Sequence, residues 1–336
     1  MILPSRGALI VSTDLHGCWA DFLALREHFL TASATEPATH WAILGDTVHG
    51  PSDEARGRRP ELYDYSDMSA EIVAAILELQ RAYPGRVHYV LGNHDHGHVG
   101  GPRTAKFHTD EVAALEGRCT PAQLADLRAL FEPALLAIAA PCGVLLSHGS
   151  PDDRLQQFDD LDGVRLSPRD NDPYRRHLLA TFLCSYGQRD EVTARLLARV
   201  SASAVPVSLV IHGHDRDEEG FFSSGLRQAC PVIFGAPKSH KRYVFKPVLE
   251  VRLGVVPARR ARDPPALPEL TVPGAICLLG PVLEVRLAGS TRAEAALSAG
   301  TGWVRLRACH GVQAPASGPR RSRRCWRRRS GRCSRG

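Results

Sequence analysis

Five short polar clusters punctuate this chain in a fixed order, and each follows an apolar run. Asp14-Leu15-His16-Gly17 follows Ala8–Ser12, Gly45-Asp46 follows Trp41–Leu44, and Gly92-Asn93-His94-Asp95 follows Val87–Leu91. Ser147-His148-Gly149 follows Gly143–Leu146, and His212-Gly213-His214 follows Ser208–Ile211. Short apolar runs bounded by polar or glycine residues read as buried strands. A fold that satisfies all five clusters brings hard oxygen and imidazole groups from several strand ends to one edge of a sheet. A site for two metal ions needs that arrangement.

Helical patterns separate the runs. Ala20–Leu30 carries an apolar face at Phe22, Leu25 and Phe29, and Ser69–Tyr83 carries one at Ile72, Val73, Ile76, Leu77 and Leu79, with Pro84-Gly85 as its stop. Thr109–Glu116, Pro121–Ile138, Tyr174–Cys184 and Asp190–Val200 also read as helices. Gly50–Arg59 and residues 149–172 read as polar loops, and Pro231–Gly235 and Lys241–Val248 as further strands. Strands alternating with helices predict a largely parallel, layered α/β catalytic domain over residues 1–250.

Past residue 250 the texture changes. Residues 254–336 hold only four acids, Asp263, Glu269, Glu284 and Glu294, and are rich in Pro, Ala, Gly and Arg. The heptapeptide PVLEVRL occurs at 247–253 and again at 281–287. Residues 251–318 read as an irregular extension, degenerate or frame-altered, and 319–336 as an Arg-rich disordered tail. The tail holds nine arginines and no acid; taking those nine charges from the net +6 leaves the rest of the chain at −3. A nucleic-acid-binding tail is the competing reading.

No apolar stretch approaches the roughly 20 residues that span a bilayer. The N-terminus lacks a signal-peptide pattern, which predicts a cytoplasmic protein without membrane partners. The nine cysteines form no C-x-x-C pair, which argues against a structural zinc site or a disulfide framework. Cys18, beside the first cluster, reads as a small buried residue ahead of a reactive thiol.

The residue types suggest a division of labour. Asp14 and His16, two apart at a strand end, point to the same side and suit one metal. Asp46 is placed to bridge two metals. Asn93, His148 and either His212 or His214 suit the second metal. Mixed Asp/Asn/His sets favour Mn²⁺, Fe or Zn²⁺. His94 is left to protonate a leaving oxygen or steady the phosphoryl group, and His49 either pairs with His94 or with substrate or is a loop histidine without a role.

On these motifs, residues 8–250 resemble the calcineurin-like metallophosphoesterase superfamily, close to its phosphoprotein (serine/threonine) phosphatase branch. Asp14-Leu15-His16-Gly17 resembles the branch's Asp-x-His-Gly opening, Gly45-Asp46-Thr47-Val48 its second motif, and Gly92-Asn93-His94-Asp95 its third, where Glu is more usual than Asp95. Ser185-Tyr186-Gly187, and Gly213-His214 with Gly220-Phe221, resemble later segments. The resemblance implies a four-layer fold, a central β-sandwich flanked by helices, with a dinuclear metal site. It also implies Asp14, His16, Asp46, Asn93, His148 and His214 as ligands, with His212 behind them, and His94 with Asp95 as the catalytic pair.

Two departures bear on substrate. His49-Gly50-Pro51 stands where the branch has Asp-Arg-Gly, and Leu91 stands where it has an arginine before Gly-Asn-His. The branch's arginines hold phosphate, which leaves Arg189, Arg216 or Arg175 as candidate replacements. The expected activity is metal-dependent hydrolysis of phosphomonoesters by a metal-bridged hydroxide, with a phosphoprotein as substrate. The alternatives are a nucleotide or dinucleotide polyphosphate, or nucleic acid held by the tail.

Overall fold

The structure is a computed structural model. It describes residues 1–60, 62–215 and 227–230, together with the backbone of four strands at 248–253, 276–279, 282–285 and 307–308. Expectations for Arg216, Gly220-Phe221, Pro231–Gly235, Lys241–Pro247, the rest of 251–318 and the 319–336 tail lie outside the described residues.

Three parallel strands, β1 (Gly7–Ser12), β2 (His40–Ile43) and β3 (Val87–Tyr89), form half of one sheet. A second sheet pairs β4 (Ala137–Ala140) antiparallel to β5 (Val144–Ser147), and β5 parallel to β6 (Leu209–His212). β7 (Gln228–Ala229) completes it beside β6. On the far side of β1 lie β8 (Val248–Leu253), β10 (Val282–Val285), β9 (Ile276–Leu279) and β11 (Arg307–Ala308), in that spatial order. The two copies of PVLEVRL are thus β8 and β10, paired parallel with Val248 opposite Val282.

Residue alternation along the strands builds four layers. Leu9 and Val11 of β1, Ala42 of β2, Ile138 and Ala140 of β4, and Val144 and Leu146 of β5 meet between the sheets. The next residues along, Ile10, Trp41, Ile43 and Tyr89, face the helices α1 (Trp19–Thr35), α3 (Ser69–Ala82) and α6 (Pro121–Phe131). Ala137, Ala139, Leu145 and Val210 face the opposite layer, α7 (Pro173–Cys184) and α8 (Asp190–Ser203). Trp41 is fully buried between Phe22 and Phe29, and its indole N–H donates to Ser12 Oγ at 2.9 Å. Burying a side chain of this size stabilises the fold by roughly 2–3 kcal/mol.

Three expectations need correction. The helical reading of Pro121–Ile138 holds only for α6, which Thr120 and Gln123 cap reciprocally and Pro121 starts. Pro133 lacks an N–H and its ring clashes with a helical carbonyl, so the chain leaves the helix and Ala137–Ala140 becomes a strand. Within the expected Gly50–Arg59 loop, α2 (Asp53–Arg58) forms, because Ser52 Oγ caps Ala55 N–H and both Asp53–Arg56 and Glu54–Arg58 pair along it. The 149–172 segment carries short 3₁₀ turns at Phe158–Gly163 and Pro168–Asp170. Two further helices, α4 (Asn93–His96) and α5 (Glu111–Glu116), are short. Among the described residues, no helix is long and apolar enough to cross a membrane.

Candidate metal centre

The loops leaving β1, β2, β3, β5 and β6 converge at one edge of the sandwich. Backbone hydrogen bonds lock them together: Asp14 N–H to Gly45 O at 3.0 Å, His16 N–H to Asp46 O at 2.9 Å, and Gly213 N–H to His148 O at 2.8 Å. Among the described residues, five non-glycine residues have positive φ: Asp14 (53°), His16 (44°), Asp46 (51°), His49 (68°) and His214 (69°). All five stand at this edge. Such a backbone is costly for residues with a Cβ and is kept where surrounding contacts enforce it. Gly45, at φ 78°, has no alternative residue, because a Cβ there would lie 2.3 Å from Gly92 N.

Two groups of donors share Asp46. On one side, His16 Nε2 lies 3.8 Å from Asp46 Oδ2 and 3.7 Å from Asp14 Oδ1. On the other, His148 Nε2 lies 3.4 Å from Asp46 Oδ2 and 3.0 Å from Asn93 Oδ1, and His214 Nδ1 lies 2.8 Å from that same Asn93 oxygen. Partners behind the histidines orient the rings. His16 Nδ1–H donates to Val48 O at 3.2 Å and His148 Nδ1–H to Leu44 O at 2.6 Å, so both present Nε2 to the centre. Asp14 is steadied by Thr13 Oγ1 at 2.5 Å and by His214 N–H at 3.2 Å.

Electrostatics matches the geometry. Burial alone would raise both carboxylates. For Asp14, the nearby His16 ring and the charge of His148 outweigh it and hold its pKa at about 2. For Asp46, the charges of His148 and His94 outweigh it and hold its pKa well below the ordinary range. Burial lowers His16 to about 3, helped by Lys106, and lowers His214 to about 4, helped by His148. Burial would also lower His148, but Asp46, in charge and hydrogen bond, pushes it up to about 9. Hard oxygens and imidazoles converging as two sets on a shared carboxylate fit a pair of divalent ions.

The family match agrees with this geometry. Residues 8–216 match the description "Calcineurin-like phosphoesterase". The chain belongs to that family. It is therefore a hydrolase of phosphoric esters, from a family that uses a dinuclear metal site. None of the curated proteins matches this sequence. Among solved structures, a protein serine/threonine phosphatase from Saccharomyces cerevisiae is similar at 16% identity, over 68% of this chain and 67% of its own, with a TM-score of 0.47. A cold-active protein-tyrosine phosphatase from a psychrophilic Shewanella has 16% identity, 75% and 78% coverage and a TM-score of 0.39. A metallophosphoesterase from Sphaerobacter thermophilus has 16% identity, 69% and 78% coverage and a TM-score of 0.33.

The remaining residues singled out in the sequence fall in different places. His94 reaches the centre with Nε2 4.0 Å from Asp46 Oδ2. Asp95, expected beside it as a catalytic group, is fully buried behind the ligands instead. It accepts the N–H groups of Asp46 (2.8 Å), Thr47 (3.1 Å) and Gly92 (2.9 Å) and the Tyr89 hydroxyl (2.9 Å). His212 is fully buried, with Nδ1 donating to Gly213 O at 2.9 Å, whereas His214 lines the cleft. Arg189 is exposed at the start of α8 and Arg175 pairs with Asp172, and neither lines the cleft of about 340 Å³ over the centre. Cys18 is buried.

Two residues there had not been expected. Lys106 lines the cleft with Nζ 3.2 Å from His16 Nε2. Its signal in the sequence is rarity: it is the one lysine before residue 238 in an arginine-rich chain. Glu111, the first residue of α5, is buried with Oε2 3.2 Å from His94 Nδ1. Within a helical pattern it looks like any solvent-facing acid.

Proposed function

We propose that this chain is a phosphomonoesterase with Mn²⁺ at the Asp46-bridged pair of sites, acting on phosphorylated protein segments. Asp14, His16 and Asp46 would hold one ion and Asp46, Asn93, His148 and His214 the other. Two divalent ions there supply positive charge for the phosphoryl oxygens and acidify an attacking water. His94 stands beside the shared carboxylate, placed to give a proton to the leaving oxygen. Lys106 takes the place of the absent arginines as the cation that holds phosphate.

The observation that carries this reading is the sharing of Asp46 between two donor groups. The substrate class rests on the surroundings. The cleft shares its Ala105-Lys106 wall with a groove of about 880 Å³. In that groove Arg56 pairs with Asp53 and Arg118 with Asp67. A lining neutralised in this way suits an extended peptide better than a polyanion. The test is hydrolysis of p-nitrophenyl phosphate with added Mn²⁺ by the wild type and Asp46→Asn, followed by phosphopeptide and dinucleotide polyphosphate panels. Metal-stimulated turnover abolished by Asp46→Asn, with phosphopeptides preferred, is expected. Folded wild type without metal-stimulated turnover refutes the reading, and a preference for dinucleotides refutes the substrate class.

A further inference from the structure

We propose that His49, His94 and Glu111 form a third cation site, for Zn²⁺, outside the Asp46-bridged pair. Three atoms from three separate elements meet there: His49 Nδ1 after β2, His94 Nδ1 on α4 and Glu111 Oε2 on α5. Their separations are 3.1 Å between the two nitrogens, 3.2 Å from His94 to Glu111 and 3.7 Å from His49 to Glu111. A point equidistant from all three lies about 1.9 Å from each in their plane. An ion slightly above that plane meets the usual zinc distances of about 2.0–2.2 Å to nitrogen and oxygen. All three residues are buried.

Hydrogen-bond bookkeeping turns two acceptor atoms, His49 Nδ1 and Glu111 Oε2, toward one point. Glu116 can only accept from His98 Nδ1–H, at 3.0 Å, so His98 Nε2 carries the lone pair. His98 Nε2 then accepts from His49 Nε2–H at 3.0 Å, which leaves His49 Nδ1 as a bare lone pair aimed at the cluster. Glu111 Oε1 is taken by Phe107 N–H at 2.9 Å, while the buried Oε2 makes no hydrogen bond of good geometry and has His94 Nδ1 at 3.2 Å. A buried carboxylate oxygen in that position is costly unless a cation or a donor meets it. Thr104 Oγ1, 3.3 Å from His49 Nδ1, offers a fourth donor atom. Two imidazoles and a carboxylate, with a hydroxyl beside them, suit Zn²⁺. The tautomer chain through His98 to Glu116 is the kind of backing that fixes a ligand ring.

Binding has a consequence that rests on the reading of His94 as proton donor. An ion bound at Nδ1 makes a ligand of the ring that the proposed reaction uses as its proton donor. Excess Zn²⁺ therefore inhibits, while the site itself stands whatever the activity is.

The test uses the full-length chain loaded with Mn²⁺ and equilibrated with Zn²⁺, with total divalent metal per chain measured by elemental analysis. Glu111→Gln and His49→Gln are each expected to hold one ion fewer than wild type, with folding checked by circular dichroism. Crystals of the wild type soaked in Zn²⁺ keep the question open to an answer if the variants unfold: an anomalous peak within bonding distance of His49 Nδ1 is expected. Equal metal content in all three folded proteins, or no such peak, overturns the site. One ion lost from the variants in a protein without phosphatase activity leaves the site standing and sinks the proposed function. Added Zn²⁺ is expected to slow hydrolysis of phenyl phosphate by about a hundredfold in wild type but not in His49→Gln. No inhibition despite the lost ion overturns the consequence for His94.

Discussion

Asp95 Oδ2 accepts the backbone N–H of Asp46 at 2.8 Å, so the third polar cluster builds the platform on which the carboxylate of the second, shared by two donor groups, stands. The same carboxylate also takes the N–H groups of Thr47 and Gly92 and the Tyr89 hydroxyl, all of them buried. Asp95→Ala strands several buried donors at once, each costing about 1–3 kcal/mol. Urea unfolding of this variant is expected to show a loss of about 3 kcal/mol or more, with metal affinity reduced alongside.

Metal uptake should be linked to one proton. In the metal-free protein His148 donates from Nδ1 to Leu44 O and from Nε2 to Asn93 Oδ1, which is the imidazolium form, consistent with its pKa of about 9. A metal at Nε2 must displace that proton, whereas His16 and His214 are already neutral at pH 7. Calorimetry of Mn²⁺ binding in buffers of different ionisation heat is expected to show release of about one proton at pH 7. Affinity should rise with pH up to about 9.

The same shift makes a stability prediction with a definite sign. The folded pKa of His148 lies above the unfolded value of about 6.5. Its contribution to the metal-free protein is therefore complete below pH 6.5 and is lost as pH rises through about 9. Thermal melts of the metal-free protein should fall across that window, and bound metal should flatten the decline.

Lys106→Ala tests the phosphate cation. Its Nζ stands at the first donor group, 3.2 Å from His16 Nε2. Steady-state kinetics are expected to show KM for phosphomonoesters raised about tenfold, about 1.4 kcal/mol of binding, with a smaller change in kcat.

His94→Ala separates acid catalysis from binding. Phenyl phosphate has a poor leaving group and depends on protonation, while p-nitrophenolate leaves without help. The variant is expected to lose on the order of 10²–10⁴-fold in kcat on phenyl phosphate and distinctly less on p-nitrophenyl phosphate.

Much of this was legible in the chain because strand ends and their polar clusters are local signals. An apolar run such as Trp41–Leu44 followed by Gly45-Asp46 encodes both the buried strand and the residue it delivers. The two-sheet arrangement was not local. β4 hides behind α6 in one apolar stretch, and only Pro133 marks the break between them. The inward turn of Asp95 carries no local signal, because its neighbours in the motif face the cleft while the helical turn of α4 swings its own side chain back under Asp46. Glu111 and Lys106 come from residues 101–111, where no apolar run announces them. Their roles follow from contacts made across 17 and 90 positions with His94 and His16. The sharing of Asp46 between two donor groups is likewise a three-dimensional fact.

The central claim is that this shared carboxylate holds two catalytic ions, and titrating metal-free protein with Mn²⁺ while following p-nitrophenyl phosphate hydrolysis tests it most directly. Activity that rises to a plateau at two equivalents, and is absent at every ratio in Asp46→Asn, is the expected result. A plateau at one equivalent, or equal activity in Asp46→Asn, would contradict the account.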